Sequence, residues 1–475
     1  MTAERHSLSD NDAPRQRSLL ATLLQPKVGI PLLIVVALFA APFIYRETRV
    51  ADIPDIGPPF DLEADGFIEL EREENAVFDY RAATPLLREL SGTDNDAFEA
   101  VRTKGWSEAT DSLKVWAESN RAALDAWTPA TRKKDFLVHQ PRDLNIGSLL
   151  PEIQTLRSFA RAATAEAARL ESEGKFDEAW ALHESIFRAS RHSGSHGCLI
   201  ERLVGIALHG IAVQGIIRWA NEPGITEDQL MSALEGLSKL DARTPPLSRA
   251  MKAEYFSLMN TIGQNDPSAF VGTSLTGGDA SLMRVIMFLQ HEPLLSRLIL
   301  QQFWANMLEH IDKPLADRPP LVPGRFGMLF EDPPGGLPAG SKRVPADALE
   351  ALARRSILVT LMLPAIGQSL IAADRERARQ ATLIAALAAQ VYRRRTGQFP
   401  ERFEAVVESG ILKAVPVDPF SKAREPLQYR GDKEGVTIWS VGDDGADNGG
   451  DVREMTGRSR TPDIGYVIPA AEAEE

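Results

Sequence analysis

The chain has little of what would link it to nucleic acid or to a disulfide framework. Its 475 residues include a single cysteine, Cys198, which excludes an internal disulfide. Basic residues are also in deficit, because 53 Lys and Arg face 66 Asp and Glu, giving a formal net charge of −13. Nucleic-acid phosphates require a basic protein face. We therefore expect no nucleic acid among the partners of this chain.

Recognised catalytic motifs are missing as well. The sequence contains no nucleophile elbow, phosphate-binding loop, zinc-protease helix or paired-glycine dinucleotide fingerprint. Acidic residues are numerous, but no two of them stand out as an acid and base pair. We therefore expect a structural or interaction protein and not an enzyme. An envelope hydrolase or metal-dependent enzyme without a recognised motif remains the alternative.

One long apolar run interrupts a polar N-terminus. Residues 28–45 read VGIPLLIVVALFAAPFIY and, as a helix, are just long enough to cross the roughly 30 Å hydrocarbon layer of a bilayer. Arg15, Arg17 and Lys27 precede the run, which places the N-terminus in the cytoplasm by the positive-inside rule. The sequence predicts a single-pass protein of the inner (cytoplasmic) membrane, with the bulk of the chain on the periplasmic or extracytoplasmic side.

A cleaved signal peptide is the alternative interpretation of this run. The apolar segment of a signal peptide is usually shorter, and a small-residue Ala-x-Ala cleavage site follows it. Phe39-Ala40-Ala41 matches such a site poorly. The length and the weak cleavage site favour an uncleaved membrane anchor.

Composition divides the remaining chain into segments. Residues 66–312 have the apolar spacing of helices, whereas Pro is concentrated in the segments on either side. We predict, in order, a disordered cytoplasmic tail at 1–27, a transmembrane helix at 28–45, a linker at 46–65, a helical domain at 66–312, a Pro/Gly-rich strap at 313–346, a C-terminal module at 347–466 and a disordered acidic tail at 467–475.

Two local signals describe the helical domain. Thr226 and Gln229 stand at the start of one helix, where each side chain can bond to the backbone amide of the other in a capping box. Residues 173–179 resemble the turn between the two helices of a tetratricopeptide unit. No second copy occurs at the expected spacing of about 34 residues. We therefore predict a helical-hairpin, partly tetratricopeptide-like domain and not a repeat array.

A long helical stretch follows the strap. Residues 347–395 are predicted to form one helix or two helices joined at Pro364. Residues 356–370 are strongly apolar but too short for a second membrane span, so we predict a helix buried against the helical domain. Residues 374–379 alternate in charge and are predicted to be solvated.

The last hundred residues contain an ordered set of motifs. Tyr392, Gly397 and Phe399-Pro400 mark the end of a helix, and Pro416, Asp418, Pro419 and Phe420 mark a turn. Residues 427–429 and 436–441 are predicted to form a hairpin. Ser440, Gly442, Asp444 and Gly445 mark a loop. This order resembles the globular module of the type II secretion major pseudopilins. The resemblance implies a long helix packed on a small antiparallel β-sheet, so the chain as a whole is predicted to be mainly α with an α+β C-terminal end. Alternation places Thr437, Trp439 and Val441 on one face of the second strand, as expected for a half-buried strand.

The terminal loop is a candidate calcium site. Residues 442–451 place five acidic or amide side chains among four glycines, and glycine lets the backbone turn so that oxygen ligands converge on a hard cation. The spacing excludes an EF-hand, because the sixth position is Asn448 and not glycine. The pseudopilin resemblance implies that Asp444, Asp447, Asp451 and Asp463 hold one Ca²⁺ ion. A solvated acidic turn is the alternative.

The chain also departs from the pseudopilins. The basic leader, the Gly-Phe-type cleavage site and the early Glu of that family do not occur around Val28, and some three hundred residues separate the anchor from the C-terminal module. We therefore expect the module to serve as a terminal domain on another scaffold, in a layout that resembles single-pass bacterial membrane-anchored proteins. An accessory subunit of a type II secretion-like machine is the further alternative.

A His- and Cys-containing segment allows a second metal hypothesis. His192, His196 and Cys198 lie within seven positions, and His at i and i+4 on a helix can share a zinc ion. Gly194 and Gly197 weaken any helix through this segment, and spacing fixes no third ligand. Structural roles are therefore favoured, with Cys198 as a small buried residue. The overall expectation is an anchored envelope protein that binds a protein partner and carries a calcium-stapled C-terminal module.

Overall fold

A computed structural model describes residues 26–148, 150–264, 278–432, 435–452 and 463–469. This part of the chain is mostly helical, with a small three-stranded antiparallel sheet near its C-terminal end, as expected. Residues 1–25 of the predicted N-terminal tail and residues 470–475 of the predicted acidic tail lie outside the described residues. Residues 467–469 belong to the last strand, so the predicted module boundary at 466 falls three residues early.

The elements follow one another in a simple order. The helices are α1 Pro26–Val50, α2 Leu62–Gly66, α3 Val77–Ala83, α4 Asn95–Lys104, α5 Asp111–Ser119, α6 Arg121–Ala130, α7 Pro151–Ser172, α8 Phe176–His192, α9 Leu199–Asn221, α10 Glu227–Asp241, α11 Leu247–Gln264, α12 Gly278–Leu289, α13 Glu292–Leu308, α14 Ala346–Ala353, α15 Ile357–Thr396 and α16 Glu404–Glu408. The strands are β1 Gln428–Asp432, β2 Gly435–Ser440 and β3 Ile464–Pro469.

Helix α1 is longer than the span predicted at 28–45 and is fixed to the body at its C-terminal end. It continues to Val50, inside the predicted linker at 46–65. Arg355 donates to the carbonyl of Arg49 at 2.7 Å, and Arg49 donates in return to the carbonyl of Arg355. A guanidinium at this position donates to a carbonyl that has no partner within the helix, and its positive charge interacts favourably with the helix dipole. The linker also packs, since Ile53 is buried.

Helical hairpins form the centre of the body. Helix α7 is joined to α8 by the short turn 173–175, in which Gly174 takes the left-handed conformation at φ 73°. At the start of α10, the Thr226 amide donates to Gln229 Oε1 at 3.0 Å and the Gln229 amide donates to Thr226 Oγ1 at 3.3 Å. The predicted turn and the predicted capping box are both confirmed.

Two hydrophobic cores run through the body. The first gathers buried side chains of α3 to α10, the C-terminal half of α15 and the sheet. The second gathers α11, α13, α14, the strap and the N-terminal half of α15. Helices α9 and α15 supply side chains to both, so these two helices hold the cores together. The predicted C-terminal module thereby shares its core with the predicted helical domain.

The strap predicted at 313–346 is ordered across α15. Its Phe326 is buried in the second core, and Arg318 donates to both carboxylate oxygens of Asp374, at 2.6 and 2.9 Å. Gly367 of α15 allows the strap to pass closely, because a Cβ there would lie 2.6 Å from the carbonyl oxygen of Phe326. The composition predicted a strap but not its path. These contacts show that it crosses α15.

Helix α15 settles the alternatives left open for residues 347–395. It runs without a break through position 364, and the separate short helix α14 precedes it. The predicted burial of its apolar N-terminal half is confirmed for most of its described side chains. The predicted solvation of residues 374–379 is wrong for Asp374 and Glu376, whose side chains are buried. Arginines from other parts of the chain pair with both carboxylates. This pairing explains why the carboxylates can be buried.

The sheet confirms the predicted hairpin and adds a third strand. Strand β2 lies between β1 and β3, with Trp439 opposite Gln428 on one side and Gly465 on the other. The prediction of a half-buried second strand is wrong, because every residue of β2 is buried, including the face that carries Thr437 and Trp439. The acidic loop covers this face, where a Cβ at Gly450 would lie 3.1 Å from the Trp439 ring.

Three described helices, α1, α9 and α15, are long and apolar enough to cross a membrane. The body buries 61% of the apolar window of α9 and 56% of that of α15, but none of that of α1. We therefore treat α9 and α15 as interior helices and α1 as the candidate membrane span.

Candidate functional site

The acidic loop is closed by hydrogen bonds to Asp463. This buried carboxylate accepts from the backbone amides of Asn448 at 3.2 Å, Gly450 at 2.8 Å and Asp451 at 3.1 Å. Three backbone donors on one carboxylate fix the end of the loop against the start of β3. Asp463 is therefore the organising residue of the loop in this structure.

The other acidic side chains of the loop bond to nearby donors. Asp447 accepts from the Trp439 indole at 3.0 Å and from the Gly449 amide at 2.9 Å. Asp444 accepts from the Ala446 amide at 3.0 Å. These are local bonds of the kind that Asp side chains form in turns. They hold the loop over the Trp439 face of the sheet.

The predicted calcium ligands share this loop without converging on one point. Among the described residues, no group of three or more His, Cys, Asp or Glu side chains is placed to hold a metal ion. Burial raises the pKa of Asp463, and the neighbouring Asp447 charge raises it further. Calcium binding by Asp444, Asp447, Asp451 and Asp463 would require carboxylates to turn from their present donors toward the ion. It remains a prediction of the family resemblance.

Two motifs that are separate in the sequence meet at Asp418. The buried Asp418 carboxylate accepts from the Ser440 hydroxyl at 2.5 Å, the Val441 amide at 2.9 Å and the Phe420 amide at 2.9 Å. The Asp of the Pro-x-Asp-Pro turn thus binds the Ser that opens the loop motif. This contact gives both motifs a structural role that the sequence did not predict.

His192 belongs to the protein interior. Its Nδ1 lies 2.8 Å from the Tyr80 hydroxyl, and its Nε2 lies 2.8 Å from the carbonyl oxygen of Lys133. Burial lowers the pKa of His192 to about 4, so the ring is neutral at pH 7. Both ring nitrogens are engaged in structural contacts.

The two other residues of the zinc hypothesis also have structural contacts. His196 Nε2 lies 2.9 Å from Asp135. Cys198 caps the start of α9, where its amide donates to Glu201 at 2.9 Å, and burial raises the pKa of its thiol. A thiol that stays protonated is a poor metal ligand. The geometry therefore favours structural roles for His192, His196 and Cys198.

An ion cluster, buried except for Asp241, joins four helices at the boundary between the two cores. Arg191 of α8 donates to Glu376 of α15 at 2.6 Å, and Arg202 of α9 donates to the same carboxylate through both terminal nitrogens. Asp241 of α10 lies 3.3 Å from Arg191. Two positive and two negative charges therefore balance within the cluster.

Electrostatics keep Glu376 ionised. Burial alone would raise the pKa of this carboxyl, but the charges of Arg202 and Arg191 outweigh burial and lower the pKa to about 2. Burial also lowers the pKa of Arg191. A carboxylate with this pKa is a weak base, so Glu376 is unsuited to general base catalysis. The cluster is a structural centre.

A cavity of about 440 Å³ opens beside this cluster. Its polar lining includes Arg202, Asp241, Asp312, Glu376 and Arg377. Several of these charges are already paired within the protein, so a small ligand would have to compete with existing ion pairs. The cavity therefore offers weak support for an enzyme.

A second cavity, of about 700 Å³, is mostly apolar. It lies among α7, α9, α11, α15 and the segment before α7, and we call it the apolar groove. Three large apolar side chains on it are solvent-exposed, Ile146 at 43%, Ile200 at 55% and Leu361 at 57%. Contiguous apolar surface of this kind marks interaction sites in soluble parts of proteins. The sequence did not predict the groove, because its walls come from distant segments.

Comparison with known proteins adds no relative. No family model matches the chain, and neither a curated protein nor a solved structure matches it. The pseudopilin resemblance therefore rests on the motifs of the C-terminal region.

The substitution Glu376→Gln should strongly destabilise the protein. Removing the anion leaves Arg202 without its carboxylate partner and Arg191 with Asp241 alone, and breaking a comparable buried pair costs about 3–5 kcal/mol. The folded-state pKa lies below the ordinary value of 4.5, so Glu376 stabilises the fold above that value, and the contribution is lost as pH falls from 4.5 toward 2. Denaturant unfolding of the full chain in detergent, at several pH values, measures both effects.

Glu408→Gln is the matched control. Glu408 pairs with Arg402 on the surface, where both side chains are exposed. This change should leave the unfolding midpoint essentially where it is. Equal midpoints for the Glu376→Gln variant and the parent at pH 7 would show that the cluster is not a structural centre.

Proposed function

We propose that this chain is a single-pass, membrane-anchored protein of the cell envelope whose body binds a protein partner. The observation that carries the proposal is the contrast between α1 and the two other long apolar helices. The window Ile30–Val50 has no part buried, whereas α9 and α15 bury most of theirs in the body. An uncovered apolar helix of this length matches the hydrocarbon core of a bilayer.

The apolar groove supports the interaction role. Its exposed Ile200 and Leu361 lie on two helices of the body, α9 and α15, outside the candidate span. Burying such side chains against a partner contributes about 25 cal/mol for each Å² removed from water. The partner proposed here is a protein of the envelope that presents an apolar segment to the groove.

An enzyme is the weaker candidate. A cavity of about 380 Å³ beside the strap is lined by polar residues that include Asp312, Asp374, Arg377 and Asp418. Asp374 is paired with Arg318 and Arg377, and Asp418 is bonded within its own turn. Groups already satisfied in this way favour a structural assignment over a catalytic one.

The topology part of the proposal places the N-terminus in the cytoplasm and the body outside the inner membrane. Protease added to intact spheroplasts of a Gram-negative host should then digest the chain down to a short anchored stub. The Leu38→Arg variant, with a charge near the centre of α1 that costs about 2.5–3.5 kcal/mol on insertion, should weaken membrane retention. Complete protection that only lysis reverses would show that the orientation is wrong.

The interaction part is tested by site-specific photo-crosslinking. The photoreactive residue p-benzoylphenylalanine in place of Ile200 should give a discrete adduct of higher mass in membranes. The same residue in place of Val115, which is 71% exposed on α5 and outside the groove, is the control and should give none. An adduct with a secretion component would favour the accessory-subunit alternative, and the absence of any adduct at Ile200 would contradict partner binding at the groove.

A calcium ion that staples the terminal loop is part of the proposal. Support comes from the like charges of Asp447 and Asp463, whose repulsion contributes to the raised pKa of Asp463. A cation between these carboxylates would offset that repulsion. Its role would be to hold the loop against the sheet and not to take part in catalysis.

Calcium should therefore raise the thermal stability of the full chain in detergent. Because the ion binds the folded state, the shift should grow with the logarithm of free calcium above the dissociation constant. Magnesium should be a poor substitute, because it requires a tighter octahedral site.

Two variants sharpen the calcium experiment. Asp444→Ala removes a predicted ligand and should reduce the shift. Asp443→Ala removes a carboxylate that pairs with Arg375 and is not a predicted ligand, so this variant should keep the calcium response. An identical melting temperature of the parent in chelator and in millimolar calcium would show that hydrogen bonds alone close the loop.

A further inference from the structure

Helix α12 carries apolar side chains both on the side that packs against the body and on the side that is exposed. Met287 is buried in the second core, and Met283 packs against that core. On the outward side, Leu282 is 61% exposed and Val285 is 53% exposed. A helix that is apolar all round is normally covered on every side. Leu282 and Val285 therefore lack a cover within the described part of the chain, and together with Phe288, which is 45% exposed, they define the outward face of α12.

The end of α12 contacts α1 at the end of the candidate membrane span. The Phe288 ring lies 6.0 Å from the Phe43 ring, edge to face, and the Arg46 guanidinium lies 3.8 Å above the Phe288 ring. His291, just beyond α12, is 3.3 Å from the carbonyl oxygen of Arg46. These contacts fix where α12 lies along the axis of α1.

This contact sets the depth of α12 in a membrane. Phe43 belongs to the uncharged run 28–45, and it precedes Arg46 by about 4.5 Å along the helix axis. The run spans about 27 Å, which is slightly less than the roughly 30 Å of hydrocarbon, so all of it is needed to cross. A side chain that touches Phe43 therefore lies at the edge of the hydrocarbon layer.

We propose that the outward face of α12 lies in the lipid interface beside α1, so that the bilayer covers Leu282, Val285 and Phe288. The inference rests on the proposed anchorage by α1 and adds a second contact between the body and the membrane. The outward face of α12 would contact the boundary between acyl chains and headgroups in the outer leaflet of the inner membrane.

The chemistry of the neighbourhood fits an interfacial helix. Phe288 is an aromatic side chain at the predicted membrane boundary, where such rings are common. Arg284, the only ionisable residue among the described side chains of α12, is exposed, and its long stem allows the charge to reach headgroup phosphates. Interfacial helices bury an apolar face about 5–10 Å into this region. Leu282 and Val285 have the size and exposure for that burial.

Depth-dependent fluorescence quenching tests the proposal on the full chain. Cys198 is replaced by alanine, and single cysteines are introduced as Leu38→Cys, Val285→Cys and Val467→Cys. Leu38 lies in the candidate span, and Val467 is an exposed residue of β3. Each variant is labelled with the fluorophore NBD and reconstituted in phosphatidylcholine vesicles, with or without lipids that carry a nitroxide on the acyl chain.

The expected result is strong quenching at positions 38 and 285, with a blue-shifted emission, and several-fold weaker quenching at 467. Quenching at 38 together with a signal at 285 equal to that at 467 would overturn the interfacial position of α12 while leaving the anchor intact. Loss of quenching at 38 would overturn the anchorage and the interfacial position together.

Discussion

The buried carboxylate of Glu376 is the constraint on which the arrangement of the body depends. It lies between Arg191 and Arg202, so α15 can pack on α8 and α9 only where both guanidinium groups reach the same side chain. Removing these ions from water is costly, and a buried pair is often no more stabilising than apolar packing. Its main effect here is therefore to define one position of α15. On α15, buried apolar side chains up to Ala373 belong to the second core, and those from Leu383 to Val391 belong to the first.

Consecutive residues of α15 connect it to three different parts of the chain. Asp374 binds Arg318 of the strap, Arg375 binds Asp443 of the acidic loop, and Glu376 binds the arginines of the helical hairpins. Successive side chains on a helix point about 100° apart, since 3.6 residues complete a turn. Three neighbours can therefore hold three elements around one helix. This explains why Asp374 and Glu376 are buried although they belong to a segment of alternating charges, which is typical of a solvated surface.

The outcome of sequence-based prediction follows from the range of the interactions. Features encoded within a few residues were predictable, among them the apolar run of α1, the capping box of Thr226 and Gln229, and the hairpin of β1 and β2. The ion cluster was not, because Glu376 is 185 positions from Arg191 and 174 from Arg202. A single sequence shows neither which distant charges will pair nor which loop will cover Trp439. The apolar groove was missed for the same reason, as its walls come from four separate segments of the chain.

The end of the body next to the candidate span is organised by a second carboxylate. The fully buried Glu292, at the start of α13, accepts from the Ser356 hydroxyl at 2.8 Å and from the Ile357 amide at 2.8 Å. A carboxylate at the first turn of α15 accepts from amides that have no partner within the helix and interacts favourably with the helix dipole. Arg355, next to this turn, binds the end of α1, so the candidate span, the start of α13 and the start of α15 meet at one point. Helix α15 then runs about 60 Å from this junction, at 1.5 Å per residue over its 40 residues, and packs against the sheet. One continuous helix therefore connects this junction to the C-terminal sheet.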